Sequence, residues 1–195
     1  SGAGIFLSSS SNYQIRDNNI SDHTDGGIGL LSSSNNNIQN NWIFNNTEFG
    51  VQINASLNVT LLTENVIFGS EYGVYLDSLN DSNWTEPLNM YNNTYGLYMT
   101  DSYSNAIGDP ENYLSYSNAL KIHNNTWGIY LDGTSSFNVF GSLVVHNNTA
   151  VGINITTSSL NNTMYNNNFS NFANADDSGS GNMWNVTKRS GSNII

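Results

Sequence analysis

Gly50-Val51-Gln52-Ile53, Gly73-Val74-Tyr75-Leu76 and Gly96-Leu97-Tyr98-Met99 are one phrase, glycine-apolar-x-apolar, written three times at intervals of 23 residues. Outward from this stretch the phrase occurs earlier as Gly4-Ile5-Phe6-Leu7 and Gly27-Ile28-Gly29-Leu30. It occurs later as Gly128-Ile129-Tyr130-Leu131 and Gly152-Ile153-Asn154-Ile155. The successive spacings are 23, 23, 23, 23, 32 and 24 residues. Self-similarity at such a period marks a stack of structural repeats. Two more apolar columns keep step with the glycines. Ile15, Ile38, Leu61, Trp84, Ile107 and Val139 lie eleven positions after them. Ile20, Ile43, Val66 and Val144 lie sixteen after, with Met90 and Ile122 displaced by one.

Each repeat thus holds three short apolar clusters with two-residue alternation, punctuated by Ser, Asn, Asp and Gly, which is the pattern of strands. No segment sustains helical spacing. Three short strands cannot bury their inner faces alone, so each coil must stack on the last, every strand lying parallel to its copy one coil away. The chirality of parallel crossovers makes the winding right-handed. The sequence therefore predicts an all-β, right-handed parallel β-helix (a solenoid) of about 8 coils of roughly 23 residues. At about 4.8 Å per coil the rod measures roughly 35–40 Å. The coils occupy residues 1–175, with Ala175 where the next glycine is due. An insertion of about nine residues near 108–116 should bulge out between Ile107 and Ile122. Residues 176–195 read as a degenerate terminal coil and tail, expected to continue in a longer protein.

Composition narrows the function. Fifteen acids face four cations, Arg16, Lys121, Lys188 and Arg189, for a formal charge of −11. Nucleic acid and anionic membrane surfaces both need a basic footprint that this chain lacks. Without cysteine there is neither disulfide nor thiolate metal site, and no apolar run is long enough to insert in a membrane. The start, Ser1-Gly2-Ala3-Gly4, has no leader pattern and reads as mature protein or an excised segment. Asparagine makes up 37 of the 195 residues. It suits left-handed turns, and Asn12, Asn35, Asn58 and Asp81 fall eight residues after successive glycines, as a stacked amide ladder would.

The Gly-Ile-x-Leu coils with Asn-Asn-Thr turns, followed by Gly181-Asn182-Met183-Trp184-Asn185-Val186-Thr187-Lys188 and Gly191-Ser192-Asn193-Ile194-Ile195, resemble the NosD-like parallel β-helix repeat proteins. The resemblance covers essentially the whole chain. In that family the tail usually runs on into a Gly-rich, aromatic-containing stretch that is missing here. Membership implies an exported solenoid of the kind common among archaeal secreted and surface proteins, a fold associated with carbohydrate binding and sugar hydrolysis. It does not imply one activity, because fold is not function.

Four sets of residues could carry chemistry. Asn-x-Ser/Thr occurs at Asn19, Asn45, Asn54, Asn58, Asn80, Asn83, Asn92, Asn124, Asn147, Asn154, Asn161, Asn168 and Asn185. Nine of the 14 threonines lie in these sequons, which favours N-linked glycans and an extracellular or cell-surface location over simple turn formation. Tyr75, Tyr98 and Tyr130 should form an outward ladder beside the glycine column, suited to stacking sugar rings. Phe49, Tyr72, Tyr95 and Trp127, each just before a glycine, should point inward or into the corner. Stabilisation by cross-strand ring stacking is the stronger reading of these columns.

Asp77, Asp101 and Asp132 fall at the same strand end in consecutive coils, where they could hold Ca2+ or form the acids of a polysaccharide hydrolase. A lyase would need a cation in these columns, and there is none; turn capping is the stronger reading. His123 and His146, each opening His-Asn-Asn-Thr, should stack and could bind copper or zinc. Phe44 and Tyr91 at equivalent places make them members of a ring column instead.

The sequence thus favours a non-enzymatic, N-glycosylated surface, structural or carbohydrate-binding solenoid with no resident cofactor. The rivals are a parallel β-helix hydrolase or lyase and a filament subunit stacking end to end on copies of itself.

Overall fold

Three apolar clusters per repeat become three strands per turn, wrapped around one interior. The computed structural model describes residues 2–61, 64–85, 87–108 and 119–184. Among them every regular element is a strand, and every pairing between strands is parallel, the signature of a parallel β-solenoid. The long face stacks eight strands: Ile5–Ser8, Gly26–Leu31, Phe49–Asn54, Tyr72–Asp77, Tyr95–Thr100, Trp127–Asp132, Val151–Ile155 and Ala175–Asp177. Seven turns separate its first strand from its last. A second face is split into sheets of three and five strands, and a third runs through seven, from Asn19–Ser21 to Asn168–Ser170.

The glycine phrase sets the register. Val74 lies opposite Val51 and Leu97, and Leu76 opposite Ile53 and Met99. These side chains are wholly buried. Each aliphatic residue thus sits on its copy, and stacking turns one coil's thin interior into a continuous core. The glycines face this interior at a bend. A Cβ on Gly96 would come within 2.5 Å of Ile122 and 2.7 Å of the Gly128 carbonyl oxygen, closer than coils can part. The glycine column is therefore no outward groove beside the tyrosines, as its spacing suggested; it is where successive coils touch.

Two of the predicted columns shift by one residue. Ile67, not Val66, stacks between Ile43 and Met90. Phe140 and Val145, not Val139 and Val144, continue the columns of Ile107 and Ile122. The physical reason lies at the corners. Asn41 and its partner Asn65 are 24 residues apart, and Ser102 and Ser135 are 33 apart with Gly133 added in the turn, so single extra residues are absorbed before the strand resumes. Likewise Ala175 pairs with Ile153, which places Asn174, not Ala175, at the glycine position. Ile107 and Ile122 hold their columns on either side of the insertion. Residues 109–118 of that predicted loop and residues 185–195 of the tail lie outside the described residues.

Asparagine has two jobs. At exposed corners it adopts positive φ, as at Asn12, Asn35, Asn40, Asn45 and Asn58, a conformation it tolerates better than most residues. One residue after Asn35, Asn40 and Asn45, a second asparagine points inward and ties coils together. Asn105 donates its backbone N–H and its Nδ2 to Oδ1 of Asn138, at 3.0 Å each, and Asn138 does the same to Asn162. Similar buried columns run through Asn93, Asn125 and Asn148, and through Asn41 and Asn65. The outer column contributes one amide bond, from Asn58 to Asn35. The stronger ladder is therefore its inward neighbour, which stands one position beyond the column that the spacing picked out.

Candidate ligand-binding face

The outer side of the long face carries two adjacent columns of rings. Tyr75, Tyr98 and Tyr130 pair strand to strand, as do Tyr72, Tyr95 and Trp127. Strand alternation sends the first three outward. The second three are expected inward or in the corner; they stand at the corner bend with their rings on the same outer side, where Tyr72 and Tyr75 bring their ring centroids to 5.2 Å. The bend explains this, because Gly73 and Val74 both face inward and alternation restarts between them. Tyr72 and Tyr95 stack at 5.2 Å, whereas Tyr95 meets Tyr98 and Tyr130 at steep angles of 78° and 85°. The result is a half-exposed aromatic ledge rather than a single ladder. Towards the first coils it continues over Gly26 and Gly29, which leave room for Phe49 and Phe6.

Acids border the ledge. Asp77 and Asp132 share one column with Thr100 between them, two coils apart. Asp101 does not belong to it. It occupies a positive-φ corner with Ser9, Ser32 and Ser78, where its carboxylate accepts the N–H and hydroxyl of Thr134. The three consecutive acids of the sequence are thus not one column. Asp132 accepts the Tyr98 hydroxyl at 2.7 Å. That bond holds the Asp132 carboxyl below its usual value, while burial and then the same bond push the Tyr98 phenol far up. Burial, followed by the charge of Glu71, raises Tyr72 to about 12. Tyr72 and Tyr98 therefore stay neutral at physiological pH, with the Tyr98 proton held on Asp132. A glycosidase proton donor needs a carboxyl shifted the other way from Asp132.

His123 and His146 stack at 4.8 Å and 4°, continuing a column of Phe44, Phe68 and Tyr91 on the third face. His123 Nε2 lies 3.0 Å from Asn89 Oδ1, and its Nδ1 is buried without a partner. Burial lowers the readiness of both rings to take a proton, with the charges of His146 and Lys121 adding to it at His123, and that of Lys121 at His146. The unfolded chain binds those protons more readily. The stability tied to this pair is therefore complete above the ordinary histidine value of 6.5 and is lost as pH falls through the lower folded values. Urea midpoints measured at about pH 7.5 and about pH 5 should fall with acidity. The double substitution His123→Phe/His146→Phe, which continues the ring column, should flatten that fall. An unchanged slope in the double variant would assign the acid sensitivity to other groups.

At the corner before Gly50, Gly96, Gly128 and Gly152, Asn45, Asn92, Asn124 and Asn147 are exposed with φ of 53–55°, and Thr47, Thr94, Thr126 and Thr149 are exposed beside them. The intervening Asn46, Asn93, Asn125 and Asn148 are buried. Asn19, Asn58, Asn83 and Asn161 are also exposed, whereas Asn54, Asn80, Asn154 and Asn168 are half-buried. The serines of the Asn54 and Asn80 sequons are themselves buried. Asn185 lies outside the described residues.

Two family models match the chain. One, described as "Periplasmic copper-binding protein (NosD)", covers residues 60–195. The other, "Right handed beta helix region", covers residues 1–109. Among solved structures, a double mutant of the periplasmic alginate epimerase AlgG is 20% identical with a TM-score of 0.68, over 91% of this chain and 40% of that one. A single mutant of the same epimerase is 19% identical with a TM-score of 0.66, over 92% and 40%. At such identity the likeness concerns the fold, and the chain spans about two fifths of the epimerase's length. No curated protein sequence matches. The copper in the first description finds no fitting ligand set here. The described residues contain no group of three or more His, Cys, Asp or Glu placed to hold a metal ion, and the two stacked imidazoles lie in parallel planes that do not converge.

Proposed function

Because the chain belongs to the NosD family of right-handed β-helix proteins, we propose that it is a non-catalytic solenoid of the cell exterior that binds polysaccharide along its aromatic ledge. The observation that carries this reading is the pair of half-exposed ring columns on the long face, Tyr72, Tyr95 and Trp127 beside Tyr75, Tyr98 and Tyr130. These six groups lie half-exposed in two adjacent columns on one outer side. The ring faces offer apolar surface to a sugar, and hydroxyl oxygens such as that of Tyr98, whose proton goes to Asp132, can accept from it. The location is supported by the family's periplasmic description.

Affinity electrophoresis in gels containing soluble polysaccharides tests the binding. Tyr75→Ala/Tyr130→Ala should weaken retardation about tenfold or more with unfolding unchanged in kind. Equal retardation of both proteins would refute the assignment of the ledge.

The same reading makes the Asn-Asn-Thr corner a glycosylated edge. Its exposed acceptors Asn45, Asn92, Asn124 and Asn147 stand beside exposed threonines, while the second asparagine of each pair is committed to the core. Intact mass and peptide mapping of native material should find glycan on these four before Asn54 or Asn80. Unmodified corner peptides throughout would remove this part of the proposal.

A further inference from the structure

Charge distinguishes which polysaccharide the ledge can hold, an inference that rests on the binding role just proposed. Asp77 and Asp132 flank the tyrosines at one strand end, and Glu71 precedes Tyr72 at the other. Asp77, Asp101 and Asp132 all act electrostatically on the Tyr75 hydroxyl, so their fields overlap at the centre of the ledge. The described cations lie on the other two faces: Arg16 in Gln14–Arg16 and Lys121 in Lys121–His123. A uronate polymer would meet only like charge here, whatever a structural relative acts on. A protonated amine meets the opposite: carboxylates to pair with and ring faces that attract cations.

We propose that the ledge binds a linear polysaccharide bearing free amino groups, of the glucosamine type, laid along the rod axis. The rings repeat at every coil, about 4.8 Å apart, and Asp77 and Asp132 stand two coils apart in their column with Thr100 between, so a polymer laid along the axis meets a row of rings with a carboxylate towards either end. Tyr98 is held for this purpose by its hydrogen bond to Asp132, which fixes a ring and a carboxylate as one unit.

The test uses titration calorimetry of the full chain against three hexasaccharides: glucosamine, N-acetylglucosamine and alginate. Asp77→Asn/Asp132→Asn is the informative variant. Asparagine already occupies this column at Asn54, and the amide oxygen that replaces the Asp132 carboxylate can still accept from Tyr98, so the fold survives. Asp17→Asn/Asp81→Asn removes the same net charge from remote corners, where neighbouring coils carry Asn40 and Asn12, Asn35 and Asn58.

The glucosamine hexamer should bind about tenfold more tightly than either other sugar, and the ledge variant should lose about that factor while the remote variant keeps its affinity. Added salt should weaken the binding. Equal or tighter binding of alginate or of the acetylated hexamer would overturn the amine assignment and leave the polysaccharide reading standing. Equal losses in the ledge and remote variants would reduce the effect to overall charge and overturn it too. Binding of none of the three, together with failure of every polysaccharide gel, would sink the broader reading with it.

Discussion

Trp84→Ala should lower the unfolding free energy by about 5 kcal/mol, combining the roughly 3–5 kcal/mol of a lost core aromatic with a carbonyl left without its donor. Trp84 is wholly buried, stacks over Ile107 on the second face, and donates its indole N–H to the Val59 carbonyl oxygen at 2.9 Å. It therefore both fills one coil and ties it to the coil before. A loss of this size approaches the whole net stability of an ordinary domain, about 5–15 kcal/mol. In a rod whose coils touch only their neighbours, damage at one coil also uncouples the two sides. Urea unfolding followed by far-UV circular dichroism and by tryptophan fluorescence should change from one transition to two non-coincident ones. Trp84→Phe, which keeps most of the volume and loses only the indole bond, should cost about 1–2 kcal/mol and keep a single transition. A single, barely shifted transition in the alanine variant would contradict the account of the core.

Asn138→Ala is the second large effect, at about 4 kcal/mol. Its side chain accepts two bonds from Asn105 and donates to Asn162 and to the Ser102 carbonyl oxygen at 2.9 Å, all in buried surroundings. Truncation leaves the Asn105 backbone N–H and the Ser102 carbonyl without these partners inside the protein, and each buried orphan costs about 1–3 kcal/mol. Asn138→Ser should be milder, since Ser82 serves the same column one coil before Asn105. Thermal denaturation of the three proteins should order them wild type, serine, alanine. Should alanine match serine, the amide column would be decoration rather than structure.

How much of this was legible in the sequence follows from where the physics repeats. The strands were readable because Val51, Val74 and Leu97 must face the same interior in every coil, and glycine recurs wherever coils touch. Corners obey no such constraint. One extra residue at Gly133, or one before Asn65, is taken up in a turn, so counting from the glycine misplaced Val66, Val139 and Val144 by one. The outward side of Tyr72 was not legible because alternation assumes a straight strand, and the bend at Gly73 breaks it. Asp101 was misread for the same reason: it is a corner residue counted as a strand residue. The doubled asparagines carried a signal that went unused. In Asn45-Asn46, Asn92-Asn93, Asn124-Asn125 and Asn147-Asn148, one member is outside and one inside, and only the first can meet anything beyond the protein.

The buried asparagine columns also give each coil a front and a back. Throughout them Oδ1 receives from the coil before and one amide hydrogen is passed to the coil after, as from Asn125 to Asn148 and from Asn148 to Asn171. A duplicated coil slotted in the same sense would mesh with both neighbours at once. A coil turned over would set oxygen against oxygen at several corners together. Lengthening by whole units is therefore simple for such a rod and reversal is not, so its inheritance, like its hydrogen bonding, runs one way.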